Sequence, residues 1–302
     1  MGRVERVAFL CLGVMGGPMA GHLARSGLSV SVYNRTRSRA DAWAEAHAEF
    51  DVSVASSPAK AARDAEVVFA CTGADADLRE IVLGQGGALV AMSAESIFVD
   101  HTTASATIAC ELADFAAECG IGFLDAPVSG GQSGAEQGAL TIMLGGDASS
   151  YQRVAPLLDH YAKKHLLLGP VGHGQLAKMV NQICIAGLVE ALAEGLHFAE
   201  KVGLDVDRVV EVISQGAAGS WQMDNRATTM TRGDFDFGFA VDWMRKDLGM
   251  ALEEAARCGA PLPVTAEVNE RYAELQKRGG GRLDTSSLIL ALRDASMTRD
   301  AG

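Results

Sequence analysis

The feature that most constrains the fold is an apolar run leading directly into closely spaced glycines, "VAFLCLGVMGGPMAGHLARSG", which begins at residue 7. A strand that feeds a glycine-rich turn into a helix brings bare backbone beside a positive helix N-terminus, which suits the pyrophosphate of a dinucleotide. Cys11 occupies the first glycine position of this fingerprint, and Gly13 and Gly16 occupy the second and third. The pattern predicts a dinucleotide site at Gly13, Val14, Met15 and Gly16, with a ligand-free tight turn as the alternative.

The chain alternates apolar β-branched runs with Ala-rich stretches up to residue 168, and strand signals stop from Gly169 onward. Strands are predicted at 7–12, 29–34, 66–71, 97–101, 122–127 and 140–146. Helices are predicted at about 174–202, 205–215, 240–258 and 264–278. We therefore expect an α/β Rossmann-type domain with a parallel sheet core over 1–168, followed by an all-α substrate and dimerisation domain over 169–302.

Charge and cysteine usage exclude several classes of function. The net charge of −12 argues against nucleic acid and anionic membrane as partners. The six cysteines show neither a C-x-x-C pair nor zinc spacing, which predicts reduced, mostly buried thiols, no metal and a cytoplasmic location. The apolar run after Gln182 is interrupted by Glu190 and Glu194, so no membrane-spanning segment is expected.

The second predicted strand ends in "YNRTRSR", where NAD-binding folds usually carry an acidic residue for the ribose hydroxyls. Here Asn34, Arg35 and Thr36 stand eighteen to twenty residues beyond Gly16. A guanidinium can bind a 2′-phosphate in bidentate fashion, whereas an acid would repel it. These residues predict a preference for NADP, with NAD possible as the cofactor, and a solvated basic helix start is the alternative.

Lys178 lies on the first turns of a predicted helix, "GQLAKMVNQICIAGLVEAL", that is apolar on nearly all faces. Burying an ammonium there is costly unless a partner or a chemical role compensates. Asn181 and Gln182 follow at i+3 and i+4, so at least one amide shares the helix face of Lys178. A side chain that reaches solvent from a helix end is the alternative.

Four blocks spaced along the chain resemble the β-hydroxyacid dehydrogenase family, which includes 3-hydroxyisobutyrate dehydrogenases and tartronate semialdehyde reductases. They are "FLCLGVMGGPMAGHLA" (9–24), "DAPVSGGQSGAEQGALTIMLGG" (125–146), "GHGQLAKMVNQ" (172–182) and "WMRKDLGMAL" (243–252). The resemblance implies an NAD(P)-dependent enzyme that interconverts a short 3-hydroxy acid and its semialdehyde.

The resemblance also implies roles for particular residues. Lys178 would be the general acid/base, with the amide of Gln182 beside it where many members carry Asn. Hydride transfer to a carbonyl leaves charge on the oxygen, so a proton donor is required during reduction. Ser129, Gly130 and Gly131 form a segment whose hydroxyl and backbone N–H groups suit a substrate carboxylate, although a ligand-free glycine turn is the alternative.

Further positions complete the site that the resemblance implies. Thr103 would face the nicotinamide, and Lys246 and Asp247 would lie near cofactor and substrate, the alternative being a solvated charge pair. Trp221 would lie at the rim of the substrate pocket, unless it is an ordinary core residue. Thr72 belongs to "CTGADADLR", which stands where many members have a Leu-Pro loop near the adenosine.

Two other functions stay open on the same scaffold. Imine-reducing relatives usually carry another residue in place of Lys178, and some relatives that have lost the lysine bind the dinucleotide without catalysis. The 6-phosphogluconate dehydrogenases share these motifs but have a longer helical region. The apolar helix 183–199 predicts a homodimer or homotetramer.

Overall fold

The computed structural model describes residues 4–297 and divides the chain into two compact units, Met1–Lys178 and Met179–Gly302. The N-terminal unit contains one nine-stranded sheet. Its strands are β1 (Arg6–Leu10), β2 (Ser29–Tyr33), β3 (Val52–Val54), β4 (Val67–Ala70), β5 (Ile97–Asp100), β6 (Gly122–Asp125), β7 (Val128–Ser129), β8 (Leu140–Gly146) and β9 (Ala162–Gly169).

Helices alternate with these strands. They are α1 (Gly16–Arg25), α2 (Arg37–Ala46), α3 (Pro58–Ala62), α4 (Asp75–Leu83), α5 (Ala106–Glu118), α6 (Gly131–Glu136) and α7 (Ala148–Leu158), with a 3₁₀ turn at Leu89–Ala91. The strand order is β3-β2-β1-β4-β5-β6-β8-β7, with β9 paired to β8. The pairs from β3 to β6 are parallel, and β8 pairs antiparallel with β6 and β7. The predicted Rossmann-type fold is confirmed.

The apolar strand runs reflect a sheet that is covered on both faces. In β1, Val7 and Phe9 join one hydrophobic core while Ala8 and Leu10 join the other. Parallel strands buried on both faces read as continuous apolar runs, which is why β1, β4, β5 and β6 were predictable. The predicted strands β2 and β8 instead alternate buried and half-buried residues. The prediction missed β3, β7 and β9, because β3 and β7 are very short and β9 is an edge strand that carries Lys163 and Lys164.

The C-terminal unit is entirely helical among the described residues. Helix α8 (His173–Lys201) passes from the first unit into the second. It is followed by α9 (Val206–Ile213), α10 (Trp221–Arg232), α11 (Val241–Cys258), α12 (Pro263–Lys277) and α13 (Leu288–Met297), with 3₁₀ turns at Gly280–Arg282 and Thr285–Ser287. Of these helices, α10 and α13 were not predicted. The proposed boundary between 168 and 169 remains a prediction, since α8 belongs to both units.

Two expectations need correction. Helix α8 is long and apolar enough, by length and composition alone, to cross a membrane, a property that core helices of soluble proteins share. The expectation that no segment has that length was therefore wrong, and the absence of a membrane partner stays a prediction. The cysteines are not mostly buried: Cys11 and Cys71 are half-buried, and the four others are exposed at positions 110, 119, 184 and 258.

Candidate active site

The glycine-rich turn follows β1 and is closely packed against its own backbone. A Cβ at position 16 would overlap the carbonyl oxygen of Cys11, so only glycine fits there. Cys11 itself adopts a left-handed conformation with φ 74°, and its N–H donates to the Tyr33 carbonyl at 2.8 Å. This residue therefore adopts the backbone conformation that glycine favours, although it carries a side chain.

The start of helix α1 fits a dinucleotide pyrophosphate. Met15 at the N-cap makes no side-chain hydrogen bond, so no side chain caps the first N–H groups of α1, although Gly17 N–H donates to the Gly13 carbonyl at 3.0 Å. Around Gly13, a Cβ would meet nothing within 4 Å, which leaves open space beside the turn. Bare backbone and an uncapped helix start are the two features that a diphosphate requires.

The predicted ribose-binding segment follows β2. The Asn34 side chain connects this loop to the glycine-rich turn after β1, because its Oδ1 accepts from Leu12 N at 3.0 Å and its Nδ2 donates to the Thr36 carbonyl at 3.0 Å. Arg35 is exposed and forms an ion pair with Asp77 at 3.3 Å. The guanidinium is thus accessible beside the turn, with one carboxylate already near it.

The carboxyl ends of the central strands lie in line across the sheet. Cα register places Leu10 beside Ala70, Ala70 beside Asp100, and Asp100 beside Asp125. Residues that follow these strands therefore lie along one edge, where ligands of open α/β sheets bind. The predicted residues after β1, β4 and β5, including Thr72 and Thr103, are brought together at this edge.

Hydrogen bonds from Asp100 through Thr102 connect the loops after β5 and β4. The carboxylate is fully buried and its Oδ1 accepts from Thr102 N at 2.9 Å. The Thr102 hydroxyl in turn accepts from Thr72 N at 2.9 Å and lies 3.1 Å from the Thr72 hydroxyl. Burial raises the pKa of Asp100 to about 7, although hydrogen bonds from Thr102 oppose this rise.

A second buried carboxylate, Asp125, holds the start of α8. Its Oδ1 accepts from Gly172 N and its Oδ2 accepts from Gln175 N, each at 2.8 Å. Burial raises the pKa of Asp125, against the lowering effect of these backbone hydrogen bonds. Two N–H groups at the helix start are satisfied by one carboxylate, which ties α8 to the end of β6.

His101 is a buried structural residue beside this edge. Nδ1 lies 2.7 Å from the Ala126 carbonyl, and Nε2 lies 2.8 Å from the Tyr161 hydroxyl. Burial lowers the pKa of His101 to about 4, so the ring is neutral at physiological pH. A carbonyl at Nδ1 requires the proton there, which leaves Nε2 to accept from Tyr161.

The predicted proton donor and anion segment also belong to the N-terminal unit. Lys178 is 7% exposed on α8, so the alternative of a solvent-reaching side chain does not describe it. Ser129 ends β7 and is paired in register with Thr141 of β8. Gly130 and Gly131 follow with φ values of 134° and 62°, conformations that favour glycine and turn the backbone sharply after Ser129.

In the C-terminal unit, the predicted polar residues form one buried network. Gln182 Nε2 donates to Asp247 Oδ2 at 2.7 Å, and Asn181 Nδ2 donates to Gln182 Oε1 at 2.8 Å. Lys246 Nζ lies 3.3 Å from Asp247 Oδ1. Since Asp247 is buried, the alternative of a solvated charge pair does not apply.

Trp221 is the first residue of α10 and is 56% exposed, so it is not an ordinary core residue. The Arg226 guanidinium stacks on its ring at 4.9 Å and on the Phe237 ring at the same distance. Arg226 also pairs with buried Asp284, at 3.2 Å between Nε and Oδ1. The tryptophan is therefore held at the surface by a fixed cation.

Three polar residues of the site were not predicted: Asp100, Asp125 and Gln175. Each lies within or next to a quoted motif, but their hydrogen bonds join residues that are far apart in sequence. Across the described residues 4–297, no group of three His, Cys, Asp or Glu side chains could hold a metal ion.

Two family models cover nearly the whole chain. The NAD binding domain of 6-phosphogluconate dehydrogenase matches residues 6–169. The model described as NAD-binding of NADP-dependent 3-hydroxyisobutyrate dehydrogenase matches residues 172–292.

Individual relatives align over nearly the whole chain as well. An uncharacterized oxidoreductase of Shewanella frigidimarina is 56% identical over 289 residues, covering 96% of this chain and 98% of that protein. A probable 3-hydroxyisobutyrate dehydrogenase-like protein of Arabidopsis thaliana is 40% identical, with 95% and 85% covered. The solved structure of Mycobacterium tuberculosis 3-hydroxyisobutyrate dehydrogenase with L-serine has a TM-score of 0.87 at 33% identity, with 96% and 99% covered.

Proposed function

This chain belongs to the β-hydroxyacid dehydrogenases, a family of NAD(P)-dependent oxidoreductases, and we propose that it interconverts a short 3-hydroxy acid and its semialdehyde. The observation that carries the proposal is Lys178, a buried lysine on the first turns of α8. A reductase of carbonyl groups needs a proton donor of this kind, and a non-catalytic dinucleotide-binding protein does not.

The residues that would hold the cofactor are those around the β1 turn and the neighbouring strand ends. The backbone from Gly13 to Gly16 would hold the pyrophosphate, and Thr72 and Thr103 would line the cleft beyond it. NADPH, when bound, supplies the hydride for reduction of the semialdehyde.

The substrate would be bound through its carboxylate and its carbonyl oxygen. The Ser129 hydroxyl and the backbone N–H groups of the Gly130–Gly131 turn would hold the carboxylate. Lys178 would give a proton to the carbonyl oxygen during reduction and recover it during oxidation. Gln182 lies one turn further along α8, where its amide would orient the oxygen, with Asp247 fixing the amide.

The substrate class is supported by the M. tuberculosis relative, whose structure contains L-serine, a three-carbon 3-hydroxy acid. We propose substrates of three or four carbons, which include the methylmalonate, tartronate and sulfolactate semialdehydes. Succinate semialdehyde, whose reduction gives a 4-hydroxy acid, is a comparison substrate.

The test follows nicotinamide absorbance with each of these semialdehydes, for wild type and Lys178→Met. Removal of the proton donor should lower kcat by roughly 10²–10⁴-fold while NADPH still binds. The matched control is Lys201→Met, at the exposed C-terminal end of the same helix, which should retain full activity. A Lys178→Met variant as active as wild type would contradict the proposed chemistry. Turnover of imines without turnover of any semialdehyde would show that the proposed substrate class is wrong.

We further propose that NADP is preferred, because Arg35 is exposed beside the turn. The Arg35→Ala variant should raise the KM for NADPH by roughly tenfold and leave the KM for NADH unchanged. The complementary Asp77→Asn change removes the carboxylate that competes for Arg35 and should lower the KM for NADPH. Equal effects of Arg35→Ala on both cofactors would contradict the assignment.

We also propose a homo-oligomer in which a second copy covers α8. Val180, Leu188 and Phe198 are exposed apolar residues along this helix, with exposed Cys184 and Val202 extending the stripe. Light scattering should give a dimer or tetramer for wild type and a smaller assembly for Leu188→Glu. Val212→Glu, at an exposed apolar position on α9, is the control. A wild-type mass equal to one chain would exclude this assembly.

A further inference from the structure

Gln175 is a buried amide in the first turns of α8, three residues before Lys178 and 1% exposed. Neither its sequence position nor its residue type marks it as a functional residue. A buried glutamine requires partners for both its donor and its acceptor atoms, and those partners show which segment it serves.

Both partners are backbone groups on either side of Thr103. Gln175 Nε2 donates to the Thr102 carbonyl at 2.7 Å, and Gln175 Oε1 accepts from Ala104 N at 3.0 Å. The opposite amide orientation would set two donors and two acceptors against each other, so these contacts fix the orientation of the side chain. The amide therefore holds the backbone of Thr103 from both sides.

The backbone of Gln175 is anchored in turn. Its N–H donates to the buried carboxylate of Asp125, which also accepts from Gly172 N. The first turn of α8 is thus tied to the end of β6 through Asp125, and the loop after β5 is tied to the same turn through the Gln175 amide. Thr102, held by that amide, carries the hydrogen bonds to Thr72.

We propose that Gln175 is a positioning residue that fixes the backbone around Thr103 at a set distance from the ammonium of Lys178. This inference rests on the proposed function, in which Thr103 faces the nicotinamide and Lys178 supplies the proton. Three residues of helix advance about 4.5 Å along the axis, so one buried side chain links both groups over a short rigid path. A displacement of about 1 Å in such an arrangement can cost roughly 100-fold in rate.

A purely structural role for the same amide predicts a different outcome. Loss of two buried hydrogen bonds would lower stability in either case. Only a positioning role would lower kcat with little change in cofactor binding, and only a positioning role would be rescued by a variant that restores both hydrogen bonds.

The first experiment compares Gln175→Met, which keeps the length but removes both hydrogen bonds, with Ser96→Ala. Ser96 is buried at the other end of β5, and its hydroxyl donates to the Ser93 carbonyl at 2.6 Å. Gln175→Met should lower kcat by roughly 10- to 100-fold and change the NADPH dissociation constant by less than about threefold. Ser96→Ala should lower the melting temperature while kcat stays within about twofold of wild type. A kcat for Gln175→Met within about twofold of the wild-type value would overturn the proposal.

The second experiment uses Gln175→Glu and its pH profile. A protonated carboxyl group can donate to the Thr102 carbonyl and accept from Ala104 N, whereas a carboxylate cannot donate. The ionisable groups around this position are Asp125 on β6, Asp100 on β5 beneath Thr102, and Lys178 on α8 itself. The kcat of the variant relative to wild type should rise as the pH is lowered, and a ratio that is constant with pH would overturn the proposal.

A third measurement separates this proposal from the proposed function. Hydrogen exchange of the Ala104 amide, in the protein without substrate, should accelerate by roughly tenfold or more in Gln175→Met and stay protected in Ser96→Ala. Unchanged exchange would overturn the proposed link between Gln175 and the loop. If wild type reduces no semialdehyde, the proposed function fails, yet accelerated exchange still supports the link.

Discussion

Buried carboxylates are held by different partners in the two units. In the N-terminal unit, Asp100 and Asp125 accept from backbone N–H groups at the strand ends and at the start of α8. In the C-terminal unit, Asp247 is paired with Lys246 and Asp284 with Arg226. Asp284 also accepts from the backbone N–H groups of residues 239 and 286.

The difference has consequences for stability. At Asp100 and Asp125, burial disfavours the charged form more than the hydrogen bonds to each carboxylate favour it, so the pKa values of both are raised. A buried carboxylate that is paired with a cation strongly destabilises the fold when the cation is removed, because an uncompensated buried charge is left. Asp100 should therefore make the stability of the N-terminal unit depend on pH, and Asp284 should make the stability of the C-terminal unit depend on Arg226. Buried Glu190 in the C-terminal unit also has a raised pKa, because burial outweighs its ion pair with Arg271.

The largest expected effect is the pH dependence caused by Asp100. Its folded pKa of about 7 lies above the unfolded value, so its contribution to stability is complete below about pH 4 and is lost as the pH rises through 7. Relative to wild type, Asp100→Asn should gain up to roughly 4 kcal/mol of unfolding free energy between about pH 4 and pH 8. Urea unfolding across this range measures the difference. Asp114→Asn, an exposed control on α5, should follow wild type, and parallel curves for Asp100→Asn would contradict the assignment.

The next largest effect tests the cation in the C-terminal unit. Arg226→Met leaves Asp284 buried without its guanidinium and removes the stacking on Trp221, which should lower the unfolding free energy by roughly 3 kcal/mol. Arg232→Met, exposed on the same helix, is the control in the same urea experiment. The double variant Arg226→Met/Asp284→Asn should lose less than the sum of the single losses. Strict additivity would show that the pair does not interact.

A smaller effect compares two helix caps within the N-terminal unit. Asp125→Asn replaces one accepting oxygen by an NH₂ group facing Gly172 or Gln175, and should cost about 2 kcal/mol. Asp147 caps α7 with a single oxygen that accepts from Ser149 and Ser150, so Asp147→Asn keeps both bonds. Its expected cost is below about 0.5 kcal/mol. Thermal or urea unfolding that ranks the two variants in the opposite order would rule out the role of Asp125.

The smallest effect concerns backbone strain at the glycine-rich turn. Because Cys11 has φ 74°, Cys11→Gly should be more stable than Cys11→Ala by about 1 kcal/mol. Cys71 follows the neighbouring strand and is not among the positive-φ residues. At this position Cys71→Ala should be more stable than Cys71→Gly by about 0.5–1 kcal/mol. Urea unfolding of the four variants tests both orders. The same order of stability at both positions would show that backbone strain does not determine the stability of the Cys11 variants.

Much of the candidate site could be predicted because its residues lie in short local patterns. Gly13 and Gly16 are recognisable from their spacing after a strand, and Lys178 stands out as a charge within an apolar helix. Arg35 is recognisable because it follows a second strand at a fixed distance from the turn. Each of these signals lies within one helix or one strand-helix-strand segment, where secondary structure fixes the relative positions of the residues.

The polar network beneath the site could not be predicted in this way. Gln175 contacts Thr102 across 73 residues of sequence and Asp125 across 50. Nothing in the local pattern around Gln175 distinguishes a partner on β5 from solvent, since helical spacing predicts only that it is near Lys178. Likewise, an acidic residue at the end of a strand predicts neither burial nor a raised pKa.

The sequence by itself determined the class of fold, the change from alternating to purely helical structure, and the identity of the lysine and the glycine-rich turn. Periodicity and composition are sufficient there, because hydrophobic burial and backbone sterics act on neighbouring residues. Only the tertiary structure decided which buried polar groups pair, because a hydrogen bond depends on atoms placed within about 3 Å by distant segments. The partners of Asp100, Asp125, Gln175 and Asp284 belong to that second category.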